Sequence, residues 1–363
     1  MPKYIYQYKD WPQFSWDNEI IQPLLSKVRY LQGQVTGRMN TFGFSEKEEA
    51  VLETLTTDVV RSSQIEGEVL DPAQVRSSIA TRLGINIDKN VNAPRNVDGV
   101  VEMMLDATQN YDSPLTHERL FAWHSSMFPS GYSGMVKIQT GVYRTGPMQI
   151  VSGALGRERI HFTAPPHELM QGEMQEFLTW FNQNKLDDVL KSAIAHFWFI
   201  IIHPFDDGNG RIARAISDLL LARSDDSSNR YYSLSNQILK DRKEYYQSLQ
   251  DAQESDGDIT QWIEWFLNCL FRALQDTQSA TDRVIEKVMF WDKHDDSKIN
   301  HRQRLMINKL LEGFEGKLKT SKWAKITKCS QDTALRDIKD LMSKGILQKE
   351  NSGGRSTNYE LIK

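Results

Sequence analysis

One segment combines a histidine, a carboxylate, a glycine-rich turn and two arginines, residue types that together suit phosphate chemistry. It reads His203-Pro-Phe-Asp-Asp-Gly-Asn-Gly-Arg-Ile-Ala-Arg214. Glycines before a helix let backbone N–H groups converge on an anion, and the N-terminal end of the helix dipole favours negative charge there. Arg211 and Arg214 are three residues apart, so they lie on one face of that helix over the same anion site. The segment therefore predicts an anion-binding turn.

The remaining polar residues of the segment predict what happens to the anion. His203 ends a buried helix and is suited to take a proton from an attacking hydroxyl. A bare carboxylate would repel a phosphate, but Asp207 can instead hold Mg²⁺, which bridges to phosphate oxygens. Asn209 can donate a further hydrogen bond within the turn. The chain lacks the GxxxxGK[ST] phosphate loop, and the set predicts nucleotidyl or phosphoryl transfer.

The segment resembles the signature of the Fic family, HxFx(D/E)GNGRxxR, with every specified position filled. This resemblance implies an enzyme that transfers AMP from ATP to a hydroxyl side chain of a protein and releases pyrophosphate. It implies His203 as the general base and Asp207 as the Mg²⁺ ligand. It implies an anion hole formed by Gly208, Asn209 and Gly210. It also implies a clamp on the outer phosphates, formed by Arg211 and Arg214.

Two further segments extend the resemblance. In Fic proteins a β-hairpin flap pins the target peptide and covers the nucleotide, and residues 149–153 with 159–166 resemble that flap. The flap positions expected at the nucleotide are Ile150, Val151, Ser152 and Gly153. The segment 243–249 resembles the family's stretch near the adenosine, which would place Tyr245 and Tyr246 beside the base or ribose. Adjacent residues do not share one helix face, so we expect only one of them to stack directly.

A second short motif predicts a built-in inhibitor. Ser62 and Glu66 are four residues apart on one helix face, near the end of a helix predicted from Ser45, which opens a capping box with Glu48. A carboxylate there faces the negative end of the helix dipole and needs a cation from elsewhere. The motif resembles the Fic inhibitory motif (S/T)xxxE(G/N), which is completed by Gly67. The resemblance implies that Glu66 pairs with Arg214 and removes the clamp on the outer phosphate of ATP.

Length and composition predict an ordinary soluble globular protein. The chain has 363 residues, 39% hydrophobic and 25% charged, which predicts two or three domains and excludes wholesale disorder. Its two cysteines, Cys269 and Cys329, cannot build a disulfide framework or a four-ligand zinc site. No segment reads as a signal peptide or a membrane span, so the expectation is a cytoplasmic protein without membrane contact.

The net charge of −4 hides an uneven distribution. Residues 298–363 carry 15 Lys and Arg against 7 Asp and Glu, while the remainder carries 29 against 41. This tail reads as three short helices followed by two strands, which is the winged helix-turn-helix arrangement, with a recognition helix starting near Ser330. A basic domain of this kind predicts contact with duplex DNA or with a protein.

The predicted fold class is mainly α, with a Fic-type helical core, a small β-hairpin flap and a C-terminal winged helix-turn-helix domain. The predicted domains are an N-terminal helical region at 1–110 with the inhibitory helix at about 45–67, a catalytic core at 111–275, a helical linker at 276–295 and the winged helix at 296–363. The first 40 residues match longer Fic proteins only loosely, and no chemistry is assigned to them.

Several readings of the function stay open at this stage. The leading one is a protein adenylyltransferase acting on Ser, Thr or Tyr of a target protein or of itself. The same site could instead remove AMP or move another phosphate-containing group. A different class of function is a DNA-binding regulator whose Fic-like body senses nucleotide. A homodimer that releases or reinforces the inhibition is a further expectation.

Overall fold

The computed structural model describes residues 3–87, 91–152, 159–294, 298–311, 314, 316–350 and 357–362. The chain divides into two compact units, Met1–Thr277 and Gln278–Lys363, and each is described by itself. Among the described residues, no helix combines the length and apolar composition that a bilayer crossing requires. The finer domain boundaries given above stay predictions.

Helices dominate the described chain, and the few strands are short. The helices are α1 (Asn18–Met39), α2 (Phe44–Ile65), α3 (Pro72–Leu83), α4 (Arg95–Gln109), α5 (His117–Met127), α6 (Met170–Gln183), α7 (Asp188–Ile202), α8 (Asn209–Asp225), α9 (Leu234–Lys240), α10 (Arg242–Gln253), α11 (Thr260–Lys293), α12 (His301–Leu311), α13 (Thr320–Thr327) and α14 (Gln331–Ser343). The strands are β1 (Tyr132–Ser133), β2 (Val136–Lys137), β3 (Gln149–Ser152), β4 (Arg159–Thr163), β5 (Leu347–Lys349) and β6 (Tyr359–Leu361).

Helix α7 runs through the centre of the first unit and delivers the signature histidine. Every residue from Val189 to Ile202 on it is buried, as expected for a helix that is apolar on all faces. It packs along α8, whose inner face is also buried. The indole N–H of Trp262 on α11 donates to the carbonyl of Ala193 at 2.8 Å, so α11 closes over α7. The segment from His203 to Arg214 therefore joins two deeply buried helices.

Local signals explain where several helices begin and end. The side chain of Asp71 accepts a hydrogen bond from the backbone N–H of Ala73 at 2.8 Å, and Pro72 occupies the first position of α3, where no N–H is needed. That helix ends at Gly84, whose φ of 70° suits the left-handed cap. Asp187 caps α7 in the same way as Asp71 caps α3. These starts and stops were readable from the residue types.

One predicted helix start needs correction, and two helices were not predicted. Helix α2 begins one residue before Ser45 with Gly43 as its cap, so Ser45 lies inside the first turn and does not cap the helix. Helix α1 was not predicted, although its buried side chains recur every three or four residues. Helix α9 was also not predicted, and it is separated from α10 at Asp241, whose backbone leaves helical geometry.

The predicted flap is the antiparallel ribbon of β3 and β4. Gln149 pairs with Thr163, and the register shifts by a bulge between Ile150 and Val151. Phe162 is the buried side chain of β4 and packs edge-on against the ring of Tyr4 near the N-terminus. The ribbon is thus anchored to the helical body on one face.

The second unit contains α12, α13, α14 and the antiparallel ribbon of β5 with β6. Its small core includes Met306, Trp323, Ile338 and Leu347. The order of helices and strands is the predicted one, and the predicted turn at 351–354 lies outside the described residues. The assignment of this unit as a winged helix-turn-helix stays a prediction.

Candidate active site

His203 follows the last residue of α7 in a backbone conformation that points its ring out of the helix. Its φ is 50°, in the left-handed region, while its N–H still bonds to the carbonyl of Phe199 at 3.0 Å. A residue with a Cβ takes this conformation at a cost of about 1 kcal/mol or more. Buried helix packing upstream and Pro204 downstream hold it there. The imidazole is thereby presented at the turn that opens α8.

The tautomer of His203 follows from its hydrogen bond. Nδ1 lies 3.2 Å from the carbonyl oxygen of Ile200, and because a carbonyl only accepts, Nδ1 carries the hydrogen. Nε2 has no hydrogen-bond partner among the described residues. Burial of the ring lowers the pKa of His203 to about 4, and the nearby cation of Arg144 acts in the same direction. At neutral pH the ring is therefore a neutral acceptor with its lone pair available.

The turn between the two helices is held closed by Asn209. Its side-chain oxygen accepts from the N–H of Phe205 at 2.9 Å, and its amide nitrogen donates to the carbonyl of Phe205 at 2.8 Å. The side chain is buried, so it shapes the turn and leaves only its backbone N–H for an anion. Gly208 has a φ of 80°, and a Cβ there would approach the ring of Phe128 to 2.9 Å. Only glycine fits this position.

Asp207 sits at the rim of the same turn with its carboxylate partly exposed. Oδ1 accepts from the N–H of Gly208 at 2.5 Å, and Oδ2 accepts from the hydroxyl of Ser133 on β1. The described residues contain no group of three or more His, Cys, Asp or Glu side chains that could hold a metal ion. A single carboxylate fits Mg²⁺ only when phosphate oxygens and water complete the coordination. The donor set is consistent with an ion that arrives with a nucleotide.

His124 on α5 supports this rim and was not identified from the sequence. Its Nε2 lies 3.2 Å from the backbone carbonyl of Asp207, and its Nδ1 accepts from the N–H of Gly141 at 3.1 Å. Its ring stacks on that of Phe205 with centroids 4.3 Å apart. Burial lowers the pKa of His124 to about 4, so the ring is neutral and the hydrogen lies on Nε2. A lone histidine in a helix carries no sequence signal for such a role.

Arg214 is fully buried and is engaged by the end of α2. Its Nη2 donates to Glu66 Oε1 at 2.8 Å and to the carbonyl of Ser62 at 2.9 Å, while Nε donates to the Ser62 hydroxyl at 2.8 Å. Burial alone would lower the pKa of Arg214, but the neighbouring Glu66 carboxylate leaves it raised. Nη1 is buried without a hydrogen-bond partner in the described part of the chain. The ion pair expected from the sequence is therefore present.

The Glu66 carboxylate also lies against the first turn of α8. A Cβ built on Gly210 would come within 2.0 Å of Glu66 Oε1, so glycine is needed for this approach. The positive end of the α8 dipole and the guanidinium of Arg214 stabilise a negative charge that the end of α2 does not. Glu66 thus occupies part of the anion site predicted from the sequence.

A second ion pair lies beside the first and was missed by sequence reasoning. Glu68 Oε2 lies 2.6 Å from Arg211 Nη1. The Arg211 side chain is 7% exposed, and Arg211 Nη2 is 4.0 Å from Asp207 Oδ1. Both arginines of the signature therefore contact carboxylates from residues 66–68. Both carboxylates line a cavity of about 810 Å³ that also reaches Asp207.

The two candidate tyrosines are in different environments. Tyr245 is buried, and its hydroxyl bonds to His196 Nε2 at 2.9 Å inside the core. Tyr246 is 43% exposed, and its hydroxyl lies 3.5 Å from the carbonyl of Ile65 at the end of α2. The two rings lie 5.1 Å apart, with Tyr246 on the exposed side, and the contact of either ring with a bound base stays a prediction.

The flap positions are only partly described. Ile150 is partly buried against the core and Val151 is exposed, while the backbone of Ser152 continues the strand. Gly153 lies outside the described residues. The ribbon packs near α10, the helix that carries both tyrosines. Roles of these residues in nucleotide or peptide binding stay predictions.

Arg144 links the flap to the catalytic turn and was also missed. Its guanidinium donates to the carbonyls of His203 at 2.8 Å, Gly146 at 2.9 Å and Pro165 at 2.6 Å. Its own N–H donates to the carbonyl of Pro204 at 2.9 Å. A buried arginine surrounded by carbonyls has no short sequence signature, because its partners are backbone atoms from three segments.

Two segments of the chain match known protein families. Residues 114–221 match the Fic/DOC family, and residues 4–85 match a domain of unknown function, DUF4172. The chain therefore contains a Fic/DOC domain, which includes the catalytic turn and both arginines.

Relatives and solved structures agree at the level of the fold. A protein adenylyltransferase Fic of Aedes aegypti is 27% identical over 236 residues, covering 63% of this chain and 43% of that protein. One of Caenorhabditis elegans is 32% identical over 109 residues, covering 29% of this chain and 20% of that protein. The chain thus spans less than half the length of these relatives. A Fic family protein of Desulfovibrio desulfuricans has a TM-score of 0.55 at 21% identity, covering 97% of this chain and 98% of that one.

Proposed function

We propose that the protein is an adenylyltransferase that moves AMP from ATP to a Ser, Thr or Tyr hydroxyl of a target protein or of itself. The observation that carries the proposal is the free Nε2 of His203 beside the turn that leads to Arg211 and Arg214. A neutral imidazole with one nitrogen available is what a general base for a hydroxyl requires. Adenylyltransferase names among the relatives support the same activity.

The proposed step uses the residues in a fixed order. The target hydroxyl oxygen attacks the α-phosphorus, the bond from that phosphorus to the oxygen bridging the β-phosphate breaks, and pyrophosphate leaves. The hydroxyl proton passes to Nε2 of His203. Backbone N–H groups at the start of α8 stabilise the charge on the α-phosphate oxygens. Magnesium bound through Asp207 and phosphate oxygens would supply positive charge for the departing pyrophosphate.

The Glu66–Arg214 ion pair makes the described conformation an inhibited one in this proposal. Arg214 is the candidate clamp for the outer phosphate of ATP, and Glu66 already holds it. A triphosphate then lacks one of its anchors, so its α-phosphate is not fixed for in-line attack. Removal of the Glu66 side chain would free the guanidinium.

The test compares intact masses after incubation with ATP and Mg²⁺. Glu66→Gly is expected to gain adducts with the mass of AMP, or to label proteins in an added lysate with α-phosphate-labelled ATP. The double variant Glu66→Gly/His203→Ala is the control and is expected to stay unmodified. If Glu66→Gly labels neither itself nor any added protein while it binds ATP, the proposed activity is wrong.

The same site supports removal of AMP as a second direction. The Glu66 carboxylate is 33% exposed and lies beside the start of α8, where it could accept a proton from water. An AMP-modified protein prepared with Glu66→Gly serves as substrate. AMP release by the unsubstituted chain with Mg²⁺, and its loss in Glu66→Gly, would favour this direction.

The second unit supports a separate proposal of binding to duplex DNA. Exposed cations lie on the two helices of the predicted helix-turn-helix or directly after the first of them, namely Lys325, Lys328, Arg336 and Lys339. Arg336 and Lys339 share one face of α14. The double variant Arg336→Glu/Lys339→Glu of the full chain is expected to abolish salt-dependent DNA binding, with the exposed Lys309→Glu as control. A protein partner remains the alternative if the full chain does not bind DNA at low salt.

A further inference from the structure

The end of α2 is shaped so that two carboxylates reach the catalytic arginines. The N–H of Glu68 bonds to the carbonyl of Ser63 at 3.0 Å, and the N–H of Gly67 bonds to that of Gln64 at 3.1 Å. With Gly67 at a φ of 87°, this is a Schellman cap. The left-handed residue reverses the chain after Glu66. Glu68 is thereby brought back toward α8.

Arg211 is positioned to bind an anion from the cavity. Its guanidinium lies 5.0 Å from the ring centroid of Phe128, and its Nε is buried without a hydrogen-bond partner among the described residues. One Nη donates to Glu68 Oε2 at 2.6 Å. A phosphate oxygen would use the same planar set of donors as this carboxylate. Glu68 and a phosphate therefore compete for one cation.

The two ion pairs are parallel but separate. Glu66 engages Arg214, and Glu68 engages Arg211, with no shared atom between them. Because the guanidinium groups lie three residues apart on α8, each can serve a different phosphate of a triphosphate chain. Removal of Glu66 leaves the contact of Glu68 with Arg211 in place. Substitution of Glu66 therefore frees Arg214 but leaves Arg211 paired with Glu68.

We propose that Glu68 is a second inhibitory residue that acts on Arg211, so that it weakens the binding of nucleoside triphosphates more than that of nucleoside monophosphates. This inference rests on the proposed nucleotide site. AMP carries only the phosphate that meets the start of α8. ATP carries two more phosphates, and these must displace the carboxylates from both arginines.

The test measures affinity without turnover, by calorimetry with AMP and with the non-cleavable α,β-methylene analogue of ATP in the presence of MgCl₂. It compares Glu66→Gly with Glu66→Gly/Glu68→Gln. We expect the second substitution to tighten binding of the triphosphate analogue about fivefold, the factor expected for a partly exposed ion pair. Binding of AMP is expected to change by less than about 1.5-fold.

Three controls make the result decisive. Glu53→Gln removes an exposed carboxylate from helix α2 and is expected to leave both affinities unchanged. Glu68→Ala removes the acceptor that Gln retains and is expected to give at least the same gain. Melting temperatures check that each variant is folded.

Equal tightening for AMP and for the triphosphate analogue, or no tightening for either, would overturn the role of Glu68. That outcome leaves the proposed activity standing if Glu66→Gly still forms AMP adducts. Conversely, selective tightening in a chain that forms no adducts would support Glu68 as a specificity residue and contradict the proposed transfer. If neither nucleotide binds any variant, both proposals are wrong.

Discussion

The Nε of Arg144 donates a hydrogen bond of 2.8 Å to the backbone carbonyl of His203, the candidate general base. The same guanidinium holds the carbonyls of Gly146 and Pro165, which flank the two strands of the flap ribbon. It also lies at the C-terminal end of α7, where a cation is favoured by the helix dipole. One buried side chain therefore ties the position of the flap to that of the imidazole.

Arg144 is predicted to position the base and the flap without touching nucleotide. In the Glu66→Gly background, Arg144→Lys is expected to lower kcat at least about tenfold with little change in ATP affinity, because lysine cannot reach three carbonyls at once. The buried acceptors left unpaired should also lower the free energy of unfolding by about 2 kcal/mol. Single-turnover rates, nucleotide titration and denaturant melts measure these effects. Lys185→Ala, which removes an exposed cation between α6 and α7, is the control, and a matching loss there would contradict the prediction.

Substitutions of Tyr245 and Tyr246 are predicted to affect different properties, namely stability and ATP affinity. Tyr246→Ala should weaken ATP binding several-fold with little effect on stability, because its exposed ring is the one available to stack on a base. Tyr245→Phe removes the hydroxyl that bonds to His196 and should cost about 1 kcal/mol of stability without changing ATP affinity. Nucleotide titration and thermal melts separate the two outcomes. A larger affinity loss for Tyr245→Phe than for Tyr246→Ala would show that the assignment is reversed.

A buried charge network anchors the candidate inhibitory helix. Two substitutions in this network are predicted to differ strongly in their effect on the free energy of unfolding. Arg230 is fully buried and donates to Asp218 Oδ1 at 2.9 Å, while Asp58 on α2 accepts from the hydroxyl of Ser233 at 2.5 Å. Burial, together with the Asp218 carboxylate, raises the pKa of Asp58 well above its usual value. Arg230→Met should therefore destabilise the chain by about 3–5 kcal/mol, since it leaves buried carboxylates unpaired.

Asp58→Asn is the matched partner of that variant. Because burial already disfavours the charged form of Asp58, the neutral isostere is expected to change the free energy of unfolding by less than about 1 kcal/mol at pH 7. Urea melts of both variants measure the difference. If Asp58→Asn proved as damaging as Arg230→Met, the negative charge of Asp58 would be essential to the network.

Buried His196 predicts that the folded chain loses stability in mild acid. Ser217 donates its hydroxyl hydrogen to Ala213, so it accepts from Nδ1 of His196, and Nε2 of that ring accepts from Tyr245. Burial lowers the pKa of His196 to about 3, and Arg214 adds to the effect. The unfolded chain, with an ordinary histidine pKa near 6.5, therefore binds the proton first as the pH falls.

The stabilising contribution of neutral His196 is complete above about pH 6.5 and is lost progressively as the pH falls toward 3. Between pH 6.5 and pH 4.5 it should account for about 2–3 kcal/mol of the decrease in unfolding free energy. In His196→Gln this part of the pH dependence should disappear, although the variant is less stable at every pH. Urea melts at several pH values test the slope, and an unchanged slope in His196→Gln would contradict the assignment.

Much of the candidate site could be predicted from the sequence because its residues are contiguous. The segment from His203 to Arg214 encodes a helix end, a glycine turn and a helix start, and local backbone preferences suffice to assemble these. The flap ribbon of β3 and β4 was predicted for the same reason. Helix α1 was not predicted, because its apolar spacing is not accompanied by a catalytic or binding motif. The first turn of α2 was misplaced because Ser45, followed three residues later by Glu48, matches a capping box.

Partners that lie far apart along the chain needed the tertiary structure. The sequence by itself determined the residue types at the catalytic turn and the presence of carboxylates near the end of α2. The pairing of Glu66 with Arg214 was implied by the family resemblance. Only the folded chain decided that Glu68 pairs with Arg211 and that Arg144 spans the flap and His203. Glu66 and Arg214 are 148 residues apart, and Glu68 and Arg211 are 143 residues apart. Ion pairs over such separations depend on how α2 packs against the start of α8, and local sequence preferences do not specify that packing.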